Sequence, residues 1–88
     1  QGIAADSLPA VTISTAELDG GIPAYRLFTL SGLAASNGEA RRLIRGGGGR
    51  VNDVPVREEG QVITAEDLRG GAIKLSAGRK QHVLVRPS

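Results

Sequence analysis

The chain of 88 residues contains no cysteine, methionine or tryptophan, and its only Phe, Tyr or Trp residues are Tyr25 and Phe28. The lack of cysteine excludes disulfide bonds and thiolate metal sites, and it fits a cytoplasmic protein. Because aromatic residues are so few, leucine, isoleucine and valine have to fill the hydrophobic core. No apolar run approaches the roughly 20 residues that span a bilayer, so we expect no membrane partner.

Positive charge is absent from the start of the chain and concentrated later. Residues 1–25 contain three acidic residues and no basic residue, whereas residues 70–88 contain four basic residues and no acidic residue. The formal net charge is only +2, but nine of the eleven basic residues are arginine, whose planar guanidinium grips phosphate oxygens. The distribution favours a polyanionic partner, although a solvated basic face without a partner is the alternative.

Apolar periodicity and chain-breaking residues predict an α+β fold, in which two antiparallel helices pack on a small mixed or antiparallel sheet. Residues 1–10 are small, polar and interrupted by proline, so we expect the end of an interdomain linker there and the domain over residues 11–88. The two helices are predicted over about residues 23–31 and from a Ser36 cap to about Arg45. Short strands are predicted at residues 11–13, 50–52, 55–57, 62–63, 72–76 and 80–86.

The predicted core consists of apolar residues that recur at helical spacing or alternate along the strands. These residues are Ala24, Leu27, Phe28, Leu30, Leu33, Ala40, Leu43, Ile44, Val51, Val56, Ile73, Leu75, Val83 and Val85. They should form one core between the helices and the sheet.

The second predicted helix is the most informative segment of the chain. Ala40, Leu43 and Ile44 share one face of it, at spacings of three and four residues. Three basic residues project away from that face, namely Arg41, Arg42 and Arg45. Their like charges repel one another unless an anion offsets them, so we predict contact with nucleic acid.

RNA is a better candidate than DNA for this contact. A-form RNA is recognised mainly by its shape, its phosphates and its 2′-hydroxyl groups, which suits a short helix with arginines on one flank. Tyr25 and Phe28 fall on the apolar stripe of the first helix, so the chain offers no aromatic platform on which bases would stack.

The segment GLAASNGEARRLIRGGGGRVNDVPV, residues 32–56, resembles the RNA-binding domain first described in small-subunit ribosomal protein four, called the S-four domain below. With its flanks, the chain is similar over residues 8–87 to the C-terminal segment of bacterial tyrosyl-tRNA synthetases. This resemblance implies a noncatalytic domain that needs no cofactor and positions tyrosine tRNA. It also implies catalytic domains in cis and a homodimeric, cytoplasmic parent ligase.

The resemblance also implies which residues face the RNA. They are Ser36, Arg41, Arg42, Arg45 and Asn52, with Arg50 beside them. From their charge, we expect the same exposed face to be extended by Lys74, Arg79 and Lys80.

Two other interpretations stay open at this point. The chain also fits an S-four domain of another owner, such as a ribosome-associated heat-shock protein or an rRNA pseudouridine synthase. A protein-interaction module without an RNA role is the alternative of a different class.

Catalytic and metal sites are not indicated by the sequence. His82 has no second histidine or cysteine as a partner, so we expect a structural or surface role for it. The adjacent carboxylates Glu58-Glu59 and Glu66-Asp67 are interpreted as solvated loop charges rather than as an acid–base pair. Gly46–Gly49 lacks the Lys-Ser or Lys-Thr of a phosphate-binding loop.

Overall fold

In a computed structural model of the chain, residues 9–88 are described, so the predicted linker lies almost entirely outside the described residues. The helices are α1 (Thr15–Gly20), α2 (Ala24–Leu30) and α3 (Asn37–Arg45), with a 3₁₀ helix at Ala65–Asp67. Helix α1 was not one of the two helices predicted from the sequence. Within residues 9–88, none of the helices has the length and apolarity needed to cross a bilayer.

The strands form two sheets. They are β1 (Ala10–Ile13), β2 (Ile22–Pro23), β3 (Gly49–Val51), β4 (Val54–Pro55), β5 (Val62–Ile63), β6 (Ile73–Ala77) and β7 (Gln81–Pro87). The main sheet has the order β1-β7-β6-β3-β4, and β2 pairs with β5 in a separate ribbon. Strand β1 runs parallel to β7, whereas the other pairs are antiparallel. The predicted α+β fold with a mixed sheet is therefore confirmed.

Most of the predicted core is buried between α2, α3 and the main sheet, but Leu30 is an exception with 45% of its surface exposed. At 100° per residue, Leu30 lies about 120° away from Ala24 around the helix axis, so it faces solvent. Leu33 and Leu43 are only partly buried and pack against the core. The prediction missed several buried residues, namely Ile13, Leu18, Ile22, Ala34, Ile63, Ala72, Ala77 and Leu84.

The glycine run after α3 ends the helix and brings β3 close to it. Gly47 adopts a φ of +81°, a left-handed conformation that glycine tolerates without strain. The Gly48 N–H donates to the Leu43 carbonyl at 3.0 Å and the Gly47 N–H donates to the Ile44 carbonyl at 3.0 Å, which is a Schellman motif. A Cβ at Gly49 would lie 3.2 Å from both Ile44 Cγ1 and Phe28 Cζ, so a side chain there would separate β3 from the helices.

The hairpin after β3 has its turn at a different position from the predicted one. Asn52 was predicted to continue the strand, but Asn52 and Asp53 have φ values of 52° and 69° and form a two-residue turn. Two consecutive positive φ values match the twist of a tight hairpin, and asparagine and aspartate tolerate them best among residues with a Cβ. The returning strand is therefore Val54–Pro55 rather than residues 55–57.

Candidate nucleic-acid interface

Helix α3 begins with a side-chain cap. The Ser36 hydroxyl accepts a hydrogen bond from the Glu39 N–H at 3.2 Å, and the Glu39 carboxylate accepts one from the Ala35 N–H at 3.3 Å. The predicted Ser36 cap is thus confirmed, and the Glu39 carboxylate reaches the N–H of the residue before the cap rather than that of Ser36 itself, as it would in a capping box. Ser36, which the resemblance assigned to RNA contact, has the role of fixing where α3 starts.

The buried side of α3 determines where its arginines point. Ala40 and Ile44 are 0% and 2% exposed and face the core. Arg41 and Arg45 each follow one of these residues by a single position, so they lie on the same flank of the helix. Arg42 is rotated about 200° from Ala40 and points most directly away from the core. We refer to these three arginines as the helix surface.

Glu59, in the loop between β4 and β5, lies between two of these arginines. Its carboxylate accepts hydrogen bonds from Arg45 Nε at 2.6 Å and from Arg45 Nη2 at 3.3 Å. Arg41 Nε lies 3.4 Å from the same carboxylate. The hydrogen bond from Arg45 and the charge of Glu59 raise the pKa of Arg45 above its ordinary value. Glu59 is a partly exposed loop charge, as predicted, but the prediction did not foresee that the loop folds back onto α3 and pairs this carboxylate with two arginines.

Arg41 is also fixed by an aromatic ring. Its guanidinium carbon lies 4.3 Å from the centroid of the Tyr25 ring, which is within the range of a cation–π interaction. The Tyr25 N–H donates to the Glu59 carbonyl at 3.2 Å, so the start of α2 holds the Glu59 loop in place. Tyr25 is therefore half-buried under Arg41 rather than part of the closed core.

Arg42 differs from the other two arginines. It is exposed, and no carboxylate of the described residues lies within 4 Å of its guanidinium. On α3, Arg42 is thus the arginine whose charge is not offset by an ion pair within residues 9–88.

Two more of the predicted residues lie on the other side of the main sheet. Gly49 and Val51 are buried towards α2 and α3, so Arg50 between them points to the opposite face. Arg50 pairs with Ser76, which pairs with His82, and paired residues project to the same side of a sheet. By the same alternation this outer sheet face also carries Lys74 and Arg86. The predicted single basic face is therefore divided by the sheet.

The outer sheet face has its own internal contacts. Lys74 Nζ donates to the Asp53 carboxylate at 3.1 Å. Ser76 is 2% exposed, and its hydroxyl lies 2.9 Å from His82 Nδ1, which gives His82 the structural contact expected for it. Arg50 and Arg86 are exposed and have no carboxylate of residues 9–88 within 4 Å.

Asn52 is engaged by the protein itself. Its Nδ2 donates to the Asp67 carbonyl at 2.6 Å, and its Oδ1 accepts from the Lys74 N–H at 3.1 Å. Its backbone N–H donates to the Lys74 carbonyl at 2.8 Å. Asn52 thereby ties the β3–β4 turn to β6 and to the 3₁₀ helix, which uses one of its two side-chain N–H donors and one of its two acceptor lone pairs within the protein.

Arg79 and Lys80 lie in the turn between β6 and β7. The Gly78 N–H donates to the Gly48 carbonyl at 2.8 Å, which places this turn beside the C-terminal end of α3. Both side chains are exposed. The turn that carries Arg79 and Lys80 therefore lies beside the end of α3 at which Arg45 stands.

The sequence analysis did not identify three residues of the two basic surfaces, namely Glu59 and Tyr25 beside α3 and Arg86 on the outer sheet face. Glu59 and Tyr25 lie far from α3 in the chain, and no local pattern connects them with it. Arg86 carried a signal, because it alternates with Leu84 and His82 along β7 and so shares their face. Within residues 9–88 no group of three or more His, Cys, Asp or Glu side chains is placed to hold a metal ion.

The fold and the basic surfaces define a small α+β domain with an arginine-rich helix suited to a polyanion. No profile of a known protein family matches the chain. Its sequence is 55% identical over 87 residues to a tyrosine–tRNA ligase of Gluconobacter oxydans, which covers 99% of the chain and 21% of that protein. It is 52% identical over 89 residues to the tyrosine–tRNA ligase of Nitrobacter winogradskyi, covering 100% of the chain and 21% of that protein.

A further relative, the tyrosine–tRNA ligase of Rhodopseudomonas palustris, is 54% identical over 88 residues, covering 98% of the chain and 21% of that protein. The chain therefore corresponds to the C-terminal region of bacterial tyrosine–tRNA ligases, and it spans about a fifth of the length of the relatives it matches. Among the owners considered from the sequence, these relatives favour the ligase. The S-four classification itself stays a prediction.

Proposed function

We propose that this region is a noncatalytic tRNA-binding domain of a tyrosine–tRNA ligase, and that it positions tyrosine tRNA through the helix surface. The observation that carries the proposal is the exposed flank of α3, where three arginines project from a helix whose other side is locked into the core. The homology of the whole chain to ligases supplies the partner, since a ligase of this name joins tyrosine to tRNA.

The mode of contact is phosphate recognition rather than base stacking. Phe28 is 0% exposed, and the ring of Tyr25 is covered by Arg41, so neither ring is open to a base. Guanidinium groups form paired hydrogen bonds with phosphate oxygens. Arg79 and Lys80 extend the helix surface at the β6–β7 turn, whereas Arg50 and Lys74 make peripheral contacts. Ser36 acts by capping α3, and Asn52 acts by holding the β3–β4 turn on β6.

In the parent ligase, we expect this region to hold the tRNA while catalytic domains in cis carry out the chemistry. We also expect the parent ligase to be a homodimer in the cytoplasm, where amino acids are attached to tRNA. A ligase lacking the region should form tyrosyl-adenylate at a near-normal rate, because that step needs only tyrosine and ATP. Transfer of tyrosine to tRNA should fall steeply, because the tRNA is no longer held in position. Loss of adenylate formation with proportionate loss of transfer would instead indicate a structural support.

The direct test is charge reversal on α3 of the present chain. Arg41→Glu combined with Arg45→Glu should abolish tRNA binding in a filter or gel assay, while circular dichroism shows an unchanged fold. Binding by the unmodified chain should weaken with salt, with a slope of log K against log salt of roughly −3 if about four phosphates are contacted.

The matched control combines Arg26→Glu with Arg69→Glu, which changes the total charge by the same amount. Arg26 pairs with Glu17, and Arg69 donates to the carbonyls of Glu66 and Leu68, so neither belongs to the helix surface. The control should retain most of the affinity. Equal affinity in the α3 variant and the unmodified chain, or binding that does not depend on salt, would contradict the proposed function.

A further inference from the structure

Two of the three arginines of the helix surface already hold an anion. The Glu59 carboxylate receives two hydrogen bonds from Arg45, and Arg41 lies against it at 3.4 Å with its own guanidinium over the Tyr25 ring. Two guanidinium groups converging on one set of oxygens are the usual arrangement around a bound phosphate. The protein thus presents a formed anion site whose occupant is one of its own side chains.

The carboxylate is an incomplete occupant of this site. Arg41 Nε is buried and has no hydrogen-bond partner among the described residues, although Glu59 is its nearest anion. Each guanidinium offers five N–H donors, and a carboxylate has only two oxygens with which to accept them. A phosphate presents more oxygen acceptors at a similar position, so it can satisfy donors that Glu59 leaves free.

The loop that carries Glu59 does not depend on its side chain. The Glu59 carbonyl accepts from the Tyr25 N–H at 3.2 Å and the Gln61 carbonyl accepts from the Ala24 N–H at 2.7 Å. These backbone bonds keep the loop on the start of α2 whether the carboxylate faces the arginines or solvent. The ion pairs themselves are exposed to solvent, with 30% of the Glu59 side chain accessible, and exposed pairs contribute little net stability.

We propose that Glu59 occupies the position that a tRNA phosphate takes between Arg41 and Arg45, so that RNA binding displaces its carboxylate. This inference deepens the proposed function and rests on it. In the free domain Glu59 offsets the repulsion between the arginines and keeps their guanidinium groups in place. The RNA has to displace the Glu59 carboxylate before a phosphate can contact Arg41 and Arg45. Glu59 therefore lowers the affinity of the site for any anion that does not contact both arginines.

The first experiment removes the negative charge of Glu59 while keeping the size and shape of its side chain. Glu59→Gln should tighten binding of tyrosine tRNA about fivefold at 0.1 M salt, because the phosphate no longer competes with an internal anion. Glu58→Gln is the matched control, since it removes the same charge one residue away, and Glu58 has no ion pair among residues 9–88. It should change the affinity less than twofold. Equal effects of the two variants would overturn the inference.

The second experiment is a double-mutant cycle between Glu59 and Arg45. If Glu59 competes with the phosphate, Arg45→Gln costs more affinity in the Glu59→Gln background than in the unmodified chain, by about threefold. If Glu59 instead orients Arg45 for RNA, the cost is smaller in that background, and the inference fails. Thermal melting checks each fold, and Glu59→Asp, whose shorter side chain retracts the carboxylate, should give an intermediate gain.

The cycle also separates this inference from the proposed function. An unmodified chain that binds tRNA in a salt-dependent way, together with weaker or equal binding by Glu59→Gln, overturns the role of Glu59 alone. An unmodified chain that does not bind tRNA overturns both.

Discussion

The helix surface and the outer sheet face are both basic, yet they are built in different ways. On α3, two arginines are held by a carboxylate and by an aromatic ring, and Arg42 projects freely beside them. On the outer sheet face, Arg50 and Arg86 stand on separate strands, and neither is held by an ion pair within the described residues. Arg41 and Arg45 of the helix surface are therefore preorganised, whereas Arg50 and Arg86 of the outer sheet face are not held by an ion pair within residues 9–88.

This difference bears on the free energy of binding. An arginine already fixed in place loses little side-chain entropy when it meets a phosphate, whereas a free one loses more. Preorganised arginines also fix the position of the RNA, whereas dispersed ones only attract it. The comparison therefore predicts that substitutions on the two faces differ in size as well as in kind.

The largest difference is expected between Arg42→Glu and Arg86→Glu, which change the net charge equally. Arg42→Glu should lower tRNA affinity about 20-fold at 0.1 M salt, because it places a negative charge on α3 beside Arg41 and Arg45, where the phosphate is proposed to bind. Arg86→Glu should lower it less than about threefold, through long-range repulsion alone. Titration of both variants with tRNA under one salt condition checks this, and similar losses would remove the distinction between the two faces.

Asn52, in the β3–β4 turn, tests whether a residue that the resemblance assigns to RNA contacts the RNA or supports the fold. Asn52→Ala removes two side-chain hydrogen bonds and places alanine at a positive φ, so unfolding should become easier by about 1–3 kcal/mol. The affinity of the folded fraction for tRNA should stay within about twofold. Urea unfolding gives the first quantity and RNA titration gives the second; a large loss of affinity at unchanged stability would assign Asn52 to the RNA.

A modest loss of affinity is expected at the β6–β7 turn, which lies beside the C-terminal end of α3. Arg79→Gln combined with Lys80→Gln should weaken tRNA binding about threefold and reduce the salt slope by about one unit, as for the loss of a peripheral phosphate contact. Affinities at three salt concentrations measure the slope. An unchanged slope would confine the interface to α3.

Much of the fold could be read from local sequence patterns. The spacing of Ala40 and Ile44 and the cap at Ser36 predict α3 within one residue, because a helix repeats every 3.6 residues and its start needs a side-chain acceptor. The alternation of Ile73 with Leu75 and of Val83 with Val85 predicts the central hairpin for the same kind of reason. Leu30 was wrongly placed in the core because each step of three residues rotates the side chain by 300° rather than a full turn, so two such steps from Ala24 move it off the buried face.

The candidate site could be predicted only in part. The arginines of α3 were found because their direction follows from the residues beside them. The roles of Ser36 and Asn52 were taken from a resemblance, and the structure gives their polar groups partners within the protein. Glu59 was missed because it meets Arg45 across 14 residues of chain, through a loop pinned to a third element.

The sequence by itself thus determined which residues are basic, that α3 forms, and which of its flanks is polar, since those properties depend on neighbours within a few positions. Only the tertiary structure decided which of the charges are free. The pleat of β3 turns Arg50 away from α3, and the loop held by Tyr25 brings Glu59 between Arg41 and Arg45. Electrostatic attraction falls with distance in space rather than along the chain, so the charge that the domain presents to any polyanion is fixed by packing.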